Sequence, residues 1–234
     1  MSPFFNADWS RYYAAVAIQP PRHTLIRTLT LFDREQRQSS RSPAPAPALG
    51  DTPRRNQAAD LGCGTGRDTL LLLERGWDVL AIDAEVQAIT ALHDRVKDCG
   101  KPQFADQLST QCCAFEAIQW PTSLQLVNAS FSLPFCAPDR FTVVWQAIRQ
   151  TLQVGGWFCG QFFGDRDEWS VYTDVTSVSR SDLLALLQGA TIVELEEEEY
   201  DGQTATGTPK HWHIFHVIIQ FPNPTSLIPS AFHR

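Results

Sequence analysis

Three glycines stand on alternate positions behind a single acid in the run Asp60-Leu61-Gly62-Cys63-Gly64-Thr65-Gly66. Ala58-Ala59 lead in, and Arg67-Asp68-Thr69-Leu70-Leu71-Leu72-Leu73 follow. The lead-in reads as the end of a buried strand and the follow-on as an amphipathic helix, so the glycines make a tight strand-to-helix turn. Glycine permits positive φ and lets a ligand approach the main chain with no Cβ in the way. The helix start behind it offers unpaired N–H groups and a positive dipole end. A second acid, Asp83, ends the next apolar run, Trp77-Asp78-Val79-Leu80-Ala81-Ile82. It falls about 20 residues past the first glycine, where a strand-end carboxylate grips ribose hydroxyls. The structural alternative for Asp83 is a cap on the helix that begins at Ala84.

Two ligand classes use such turns. Dinucleotide sites space the third glycine three positions after the second, with the pyrophosphate on the helix N-terminus. Here the spacing is two, and Asp60 precedes the loop directly. A carboxylate there repels a pyrophosphate and attracts an ammonium or sulfonium group. The turn therefore favours a zwitterionic, cationic cofactor over NAD or FAD.

The elements that must position these residues follow from periodicity. The first strand ends at Asp60, a helix covers about 66–75 with Gly76 as its stop, and a second strand covers 78–83. A helix over 84–97 puts Val86, Ile89, Leu92 and Val96 on one face. The third strand is expected near 112–118, the fourth over 124–129, a helix over 139–152 and the fifth strand over 157–163. A helix over 180–187 and two final strands, 191–200 and 212–221, complete the pattern. Strand–helix alternation predicts an α/β fold of the Rossmann-like, doubly wound kind. It has a mostly parallel seven-stranded sheet, helices on both faces and a C-terminal antiparallel hairpin. Ahead of it, residues 1–32 read as an N-terminal helical cap broken at Pro20-Pro21. Residues 33–56 read as a flexible Pro/Ala/Ser/Arg-rich insertion, 57–222 as the cofactor-binding domain and 223–234 as a tail.

With these motifs in place, the chain resembles the class I S-adenosylmethionine-dependent methyltransferases over residues 57 to about 220. Asp60 to Gly66, Asp83 and the turn Leu152-Gln153-Val154-Gly155-Gly156 carry the likeness. More narrowly, Asn128-Ala129-Ser130-Phe131-Ser132-Leu133-Pro134-Phe135 and Lys210-His211-Trp212-His213 are similar to a bacterial group related to the tellurite-resistance (TehB-like) methyltransferases. The resemblance implies S-adenosyl-L-methionine as cofactor, held by Asp60, Gly62, Cys63, Gly64, Thr65, Gly66 and Asp83. It also implies an adenine contact at Phe115-Glu116, where Ala114 replaces a frequent acid. It implies that the N-terminal segment covers the pocket, with Tyr12, Tyr13 and Arg22 as candidates toward substrate; the competing account of this stripe is core packing.

Asn128 ends the fourth strand at the switch point of the sheet, so its amide and the neighbouring carbonyls are candidates for the cofactor's ammonium end. A base-methylating Asn/Asp-Pro-Pro-aromatic run is missing, which argues against DNA as acceptor. On a strand, His211 and His213 share a face, with Glu196 and Glu198 as expected cross-strand partners. No local third ligand makes a zinc site, so no metal is expected. Trp212 and His213 are further substrate-side candidates if the hairpin leans over the pocket.

The 234 residues, 43% hydrophobic and 19% charged, suit one sizeable core. The net charge of −7 is uneven: the first 56 residues hold eight arginines against four acids, and the remainder is acidic. An acidic domain argues against nucleic acid as partner. The absence of a long apolar run and of a basic leader argues against membrane insertion and places the protein in the cytoplasm by default. The six cysteines form no Cys-x-x-Cys pair and read as reduced, mostly buried thiols. The expected function is methyl transfer from S-adenosylmethionine to a small-molecule acceptor of unknown identity. Sequence alone fixes neither a catalytic base nor the oligomeric state. The alternatives are an NAD(P)-dependent oxidoreductase and a non-catalytic cofactor-binding module.

Overall fold

A computed structural model describes residues 9–39 and 55–221. Seven strands run in the order β3-β2-β1-β4-β5-β8-β7, and the two-residue β6 pairs with β5. The strands are β1 Gln57–Leu61, β2 Asp78–Asp83, β3 Leu108–Cys112, β4 Leu124–Ala129, β5 Leu152–Gly164, β6 Ser177–Val178, β7 Thr191–Gln203 and β8 Pro209–Gln220. All neighbours are parallel except β5–β8 and β7–β8. The order reverses at β1, whose two partners are β2 and β4. That reversal opens a crevice outside the carboxyl ends of β1 and β4, where ligands bind in such sheets.

The helices are α1 Ser10–Val16, α2 His23–Ser39, α3 Arg67–Glu74, α4 Val86–Asp98, α5 Pro102–Gln107, α6 Pro138–Thr151 and α7 Arg180–Leu186. Strand side chains alternate between two apolar layers. One layer joins Ala58, Val79, Ala81 and Leu126 to Leu25 and Leu29 of α2, Leu72 of α3 and Leu92 of α4. The other joins Ala59, Ile82, Val127 and Phe158 to Phe141, Val144 and Ile148 of α6 and Leu183 of α7. The doubly wound sheet with its terminal antiparallel hairpin is therefore the observed architecture.

Several expectations shift. The third strand is Leu108–Cys112, upstream of the expected 112–118, and Phe115–Ala117 is a 3-10 turn. Its sequence, Leu-Ser-Thr-Gln-Cys, carries little apolar signal because β3 lies at the sheet edge. The short α5 ahead of it was not expected; Pro102 starts it, and Gln107 Nε2 ties it to Trp77 O at 3.0 Å. Val86 points to solvent, and Ala88 takes the inward place with Leu92 and Val96. α2 is more than a cap. It buries Leu25, Leu29 and Phe32 against the sheet and continues to Ser39, past the expected boundary at 32. The rest of the expected insertion, 40–54, and the tail lie outside the described residues. Of the six thiols, Cys63, Cys136 and Cys159 are buried, while Cys99 and Cys112 are exposed. No helix among the described residues is long and apolar enough to cross a membrane.

Candidate cofactor site

The turn between β1 and α3 takes the conformation that its glycines permit. Gly62 has φ +63° and Gly66, which caps α3, has φ +85°. A Cβ on Gly62 would lie 2.4 Å from Ser132 Cβ, and one on Gly66 would lie 2.2 Å from Leu92 Cδ1. Both glycines are therefore required twice over, by backbone sign and by space. The loop is tied to β2 at both ends of its bend: Cys63 N donates to Ile82 O at 2.9 Å, and Gly64 N to Asp83 Oδ2 at 2.8 Å.

Asp83 is buried at the end of β2, and its Oδ1 accepts from Glu85 N at 2.9 Å. It does cap the α4 start through that bond, but a carboxylate has about four acceptor positions, so two directions remain for hydroxyl donors. One of these is taken: the Tyr13 hydroxyl lies 3.4 Å from Asp83 Oδ1. Burial holds the Asp83 carboxyl above its ordinary range, with the Glu85 and Gly64 N–H groups opposing. Burial and the charge of Asp83 likewise raise the Tyr13 phenol, so it remains a donor.

Asp60 does not reach out of the wall as an isolated charge. Thr69 Oγ1 donates to its Oδ2 at 2.5 Å, and Asn128 Nδ2 donates to its Oδ1 at 2.8 Å. The same amide lies 3.2 Å from Asp68 Oδ2, so Asn128 bridges two buried carboxylates. Burial, then the charge of Asp68, pushes the Asp60 carboxyl up to about 7. The Asn128 carbonyl is also used, by Ser130 Oγ at 3.1 Å. Its side chain is thus an internal brace between the two carboxylates and Ser130. Asp68 and Thr69, in the first turn of α3, are the residues that sequence reasoning missed. Their position just behind the glycine turn was the available signal.

Tyr12, Tyr13, Asp60, Gly64, Arg67 and Asp68 are among the residues around a cavity at this turn. With α1 in place it measures only about 40 Å³, against roughly 300–1,000 Å³ for ligand pockets. A second, open cavity of about 560 Å³ beside His93, Lys97 and Lys101 shares no lining residue with it. Thr65 lines the turn cavity, and its carbonyl accepts from Arg95 NH1 at 2.8 Å. Cys63 also lines it, and its thiol is held protonated by burial and by Asp60 and Asp83. Arg22 sits close by: its N donates to Asp68 Oδ1 at 2.9 Å, and its guanidinium lies 4.3 Å from the Phe131 ring centre.

Three groups of expected residues fall elsewhere. Phe115 packs against the α6-side core and Glu116 is exposed; neither borders the cavity. Trp212 covers Lys210 Nζ at 3.8 Å, and His213 is fully buried. His213 Nδ1 lies 3.2 Å from Arg166 N, and its Nε2 lies 3.0 Å from Glu197 Oε1 and 3.1 Å from Arg166 NH2. The partners of His211 and His213 are Asp201, Glu199 and Glu197; a register shift between Ile192 and Glu194 turns Glu196 and Glu198 to the opposite face. Among the described residues no cluster of His, Cys, Asp and Glu is arranged to hold a metal ion.

Residues 58–156 match the family model described as a methyltransferase domain. No curated protein matches the chain by sequence. Solved structures with the same fold include TehB from Haemophilus influenzae, at 16% identity and TM-score 0.61, covering 72% of this chain and 58% of that one. The alignment thus spans less than two thirds of the TehB chain. The 1,6-didemethyltoxoflavin-N1-methyltransferase of Burkholderia thailandensis, solved with S-adenosylhomocysteine, matches at 19% identity and TM-score 0.54, covering 73% of this chain and 72% of that one. The [4+2]-cyclase SpnF matches at 14% identity and TM-score 0.56, covering 72% of this chain and 75% of that one. At these identities the structures establish the fold. The chain is thus similar to a methyltransferase domain over residues 58–156 and shares the fold of these structures.

Proposed function

We propose that this protein is an enzyme that transfers a methyl group from S-adenosylmethionine to a small-molecule acceptor, in the cytoplasm and without nucleic acid as substrate. The observation that carries the reading is Asp83. Its carboxylate ends β2, is fixed by Gly64 N and Glu85 N, and keeps acceptor capacity toward the glycine turn. The residues fit the group: Asp83 receives ribose hydroxyls, the bare backbone at Gly64 admits the nucleoside once Tyr13 moves aside, and Asp60 in its ionised form sets a negative wall for a cation. When bound, the cofactor supplies an electrophilic methyl group and its own sulfide leaving group. The chain has to orient the partners and exclude water. Tyr12, Tyr13 and Val16 are in position to close over the turn, which supports α1 as the cover. A strong base is not required where the acceptor is a thiolate, an amine or a soft anion. Tellurium and selenium oxyanions, thiols and small amines are therefore the first acceptors to assay with methyl-labelled cofactor. Labelled product from at least one of them, lost with Asp83→Ala, is the expected result. Absence of cofactor binding by folded protein would overturn the reading.

A further inference from the structure

We infer that Gln161 is a positioning residue for the cofactor site, acting through a strained backbone at Phe131. This deepens the methyl-transfer reading and rests on it. Among the described residues only Ser123 and Phe131 take positive φ without being glycine, and Phe131 has φ +53°. In that left-handed region a bulky side chain crowds its own backbone, and such outliers persist only where the surrounding structure holds them. The holder is Gln161. Its side chain is buried in β5, and its Oε1 accepts the Phe131 N–H at 3.1 Å. Its Nε2 donates to Thr24 Oγ1 of α2 at 3.0 Å and lies 3.4 Å from His216 Nδ1 of β8. The amide is therefore fixed from two further elements before it meets the turn.

β4 and β5 stay in register up to Ala129 and Gly160. Past that pair the main-chain ladder stops, and the Gln161 side chain takes up an N–H that the ladder leaves free. The residues on either side of Phe131 both meet the site. Ser130 borders the glycine-turn cavity, and Ser132 Cβ stands where a Cβ on Gly62 would collide with it. One reversed residue thus sets a wall of the cavity and the backing of its glycine turn. A glycine at this position would reach the same φ without strain. Burial of the ring does not explain the strain, because Phe131 is only half-buried. Strain kept at a half-exposed residue beside a binding turn points to preorganisation of that turn rather than to core packing.

The test separates positioning from bulk support. S-Adenosylhomocysteine is titrated by calorimetry into the wild type, Gln161→Met, Thr24→Val, Phe131→Gly and the double variant Gln161→Met/Phe131→Gly, with thermal melting as the check on folding. Gln161→Met should weaken binding at least about fivefold. In the Phe131→Gly background the same change should weaken it less than about twofold, because glycine reaches left-handed φ unaided. Thr24→Val, which removes only the tie to α2, should change affinity less than about twofold. Phe131→Gly should melt about 2–4 °C above Phe131→Ala, since a β-carbon in the left-handed region costs more than glycine's extra freedom in the unfolded chain. An equal Gln161→Met effect in both backgrounds overturns the proposal, and so does equal melting of Phe131→Gly and Phe131→Ala. A Thr24→Val loss as large as that of Gln161→Met overturns it too, by assigning the amide to the α2 tie. If Gln161→Met alone fails to fold, recovery of folding in the double variant upholds the role and no recovery defeats it. No nucleoside binding by folded wild type defeats the methyl-transfer reading and the positioning role together, whereas the other adverse outcomes defeat the positioning role alone.

Discussion

The Tyr13 hydroxyl stands 3.4 Å from Asp83 Oδ1, on the carboxylate that a nucleoside ribose would need. Tyr13 also lays its ring against the turn, 3.4 Å from where a Cβ of Gly64 would be. Together with the small cavity, this describes a turn closed by α1. A ligand entering it must displace Tyr13 from Asp83.

Tyr13→Phe removes the competing donor and leaves the ring. The bond is long, so its net worth is about 0.5–1 kcal/mol. Affinity for S-adenosylhomocysteine should rise about two- to fivefold, read by calorimetry. A loss of affinity would mean that the hydroxyl serves the ligand rather than excluding it.

Asp60 makes binding depend on pH. Its carboxyl is raised from 3.8 to about 7 by burial and Asp68. The folded state therefore holds a proton that the unfolded state releases, so this group's contribution to stability is full below about pH 4, declines as pH rises and levels off above about 7. A cation bound at the turn favours the ionised form and expels that proton. Affinity for S-adenosylmethionine should increase between pH 6 and 8, and Asp60→Asn should flatten that rise. A rise that persists unchanged in Asp60→Asn would assign the titration elsewhere.

Gly62→Ala meets two costs, a positive φ and a Cβ 2.4 Å from Ser132 Cβ. Strain and overpacking of this kind cost about 1–3 kcal/mol each. Urea denaturation should show a loss of at least about 2 kcal/mol, and the cofactor affinity should fall with it. Unchanged stability would show that the turn relaxes freely.

Lys210 and Asp167 form a buried ion pair at 2.5 Å, capped by the Trp212 ring. Asp167 also accepts the Trp169 and His213 N–H groups, so the pair anchors the hairpin to the segment after β5. Lys210→Met strands a buried carboxylate and should cost about 3–5 kcal/mol, with part regained in the double variant Lys210→Met/Asp167→Asn. Equal stability of the two variants would deny the coupling.

Much of the fold was legible because its strands are strongly patterned. The bounds of β2 and β4 match expectation to the residue, since both are largely buried and rich in apolar residues. β3 escaped because an edge strand with one leucine carries little pattern. At the site, residue types marked Asp60, Asp83 and the glycines, but not their internal partners. That Asn128 spends its amide on Asp60 and Asp68 depends on β1–β4 pairing, which places Asp60 beside Asn128. The hairpin faces were misassigned by one residue, because a register shift in β7 reverses which glutamates meet His211 and His213.

The central claim is that Asp83 holds the ribose of S-adenosylmethionine at the glycine turn. It is tested most directly by calorimetric titration of S-adenosylhomocysteine into the wild type and Asp83→Ala, with folding checked by thermal melting. The account predicts saturable one-site binding by the wild type and a loss of about 10- to 100-fold in the variant. No heat with folded wild-type protein, or equal affinity in both, would contradict it.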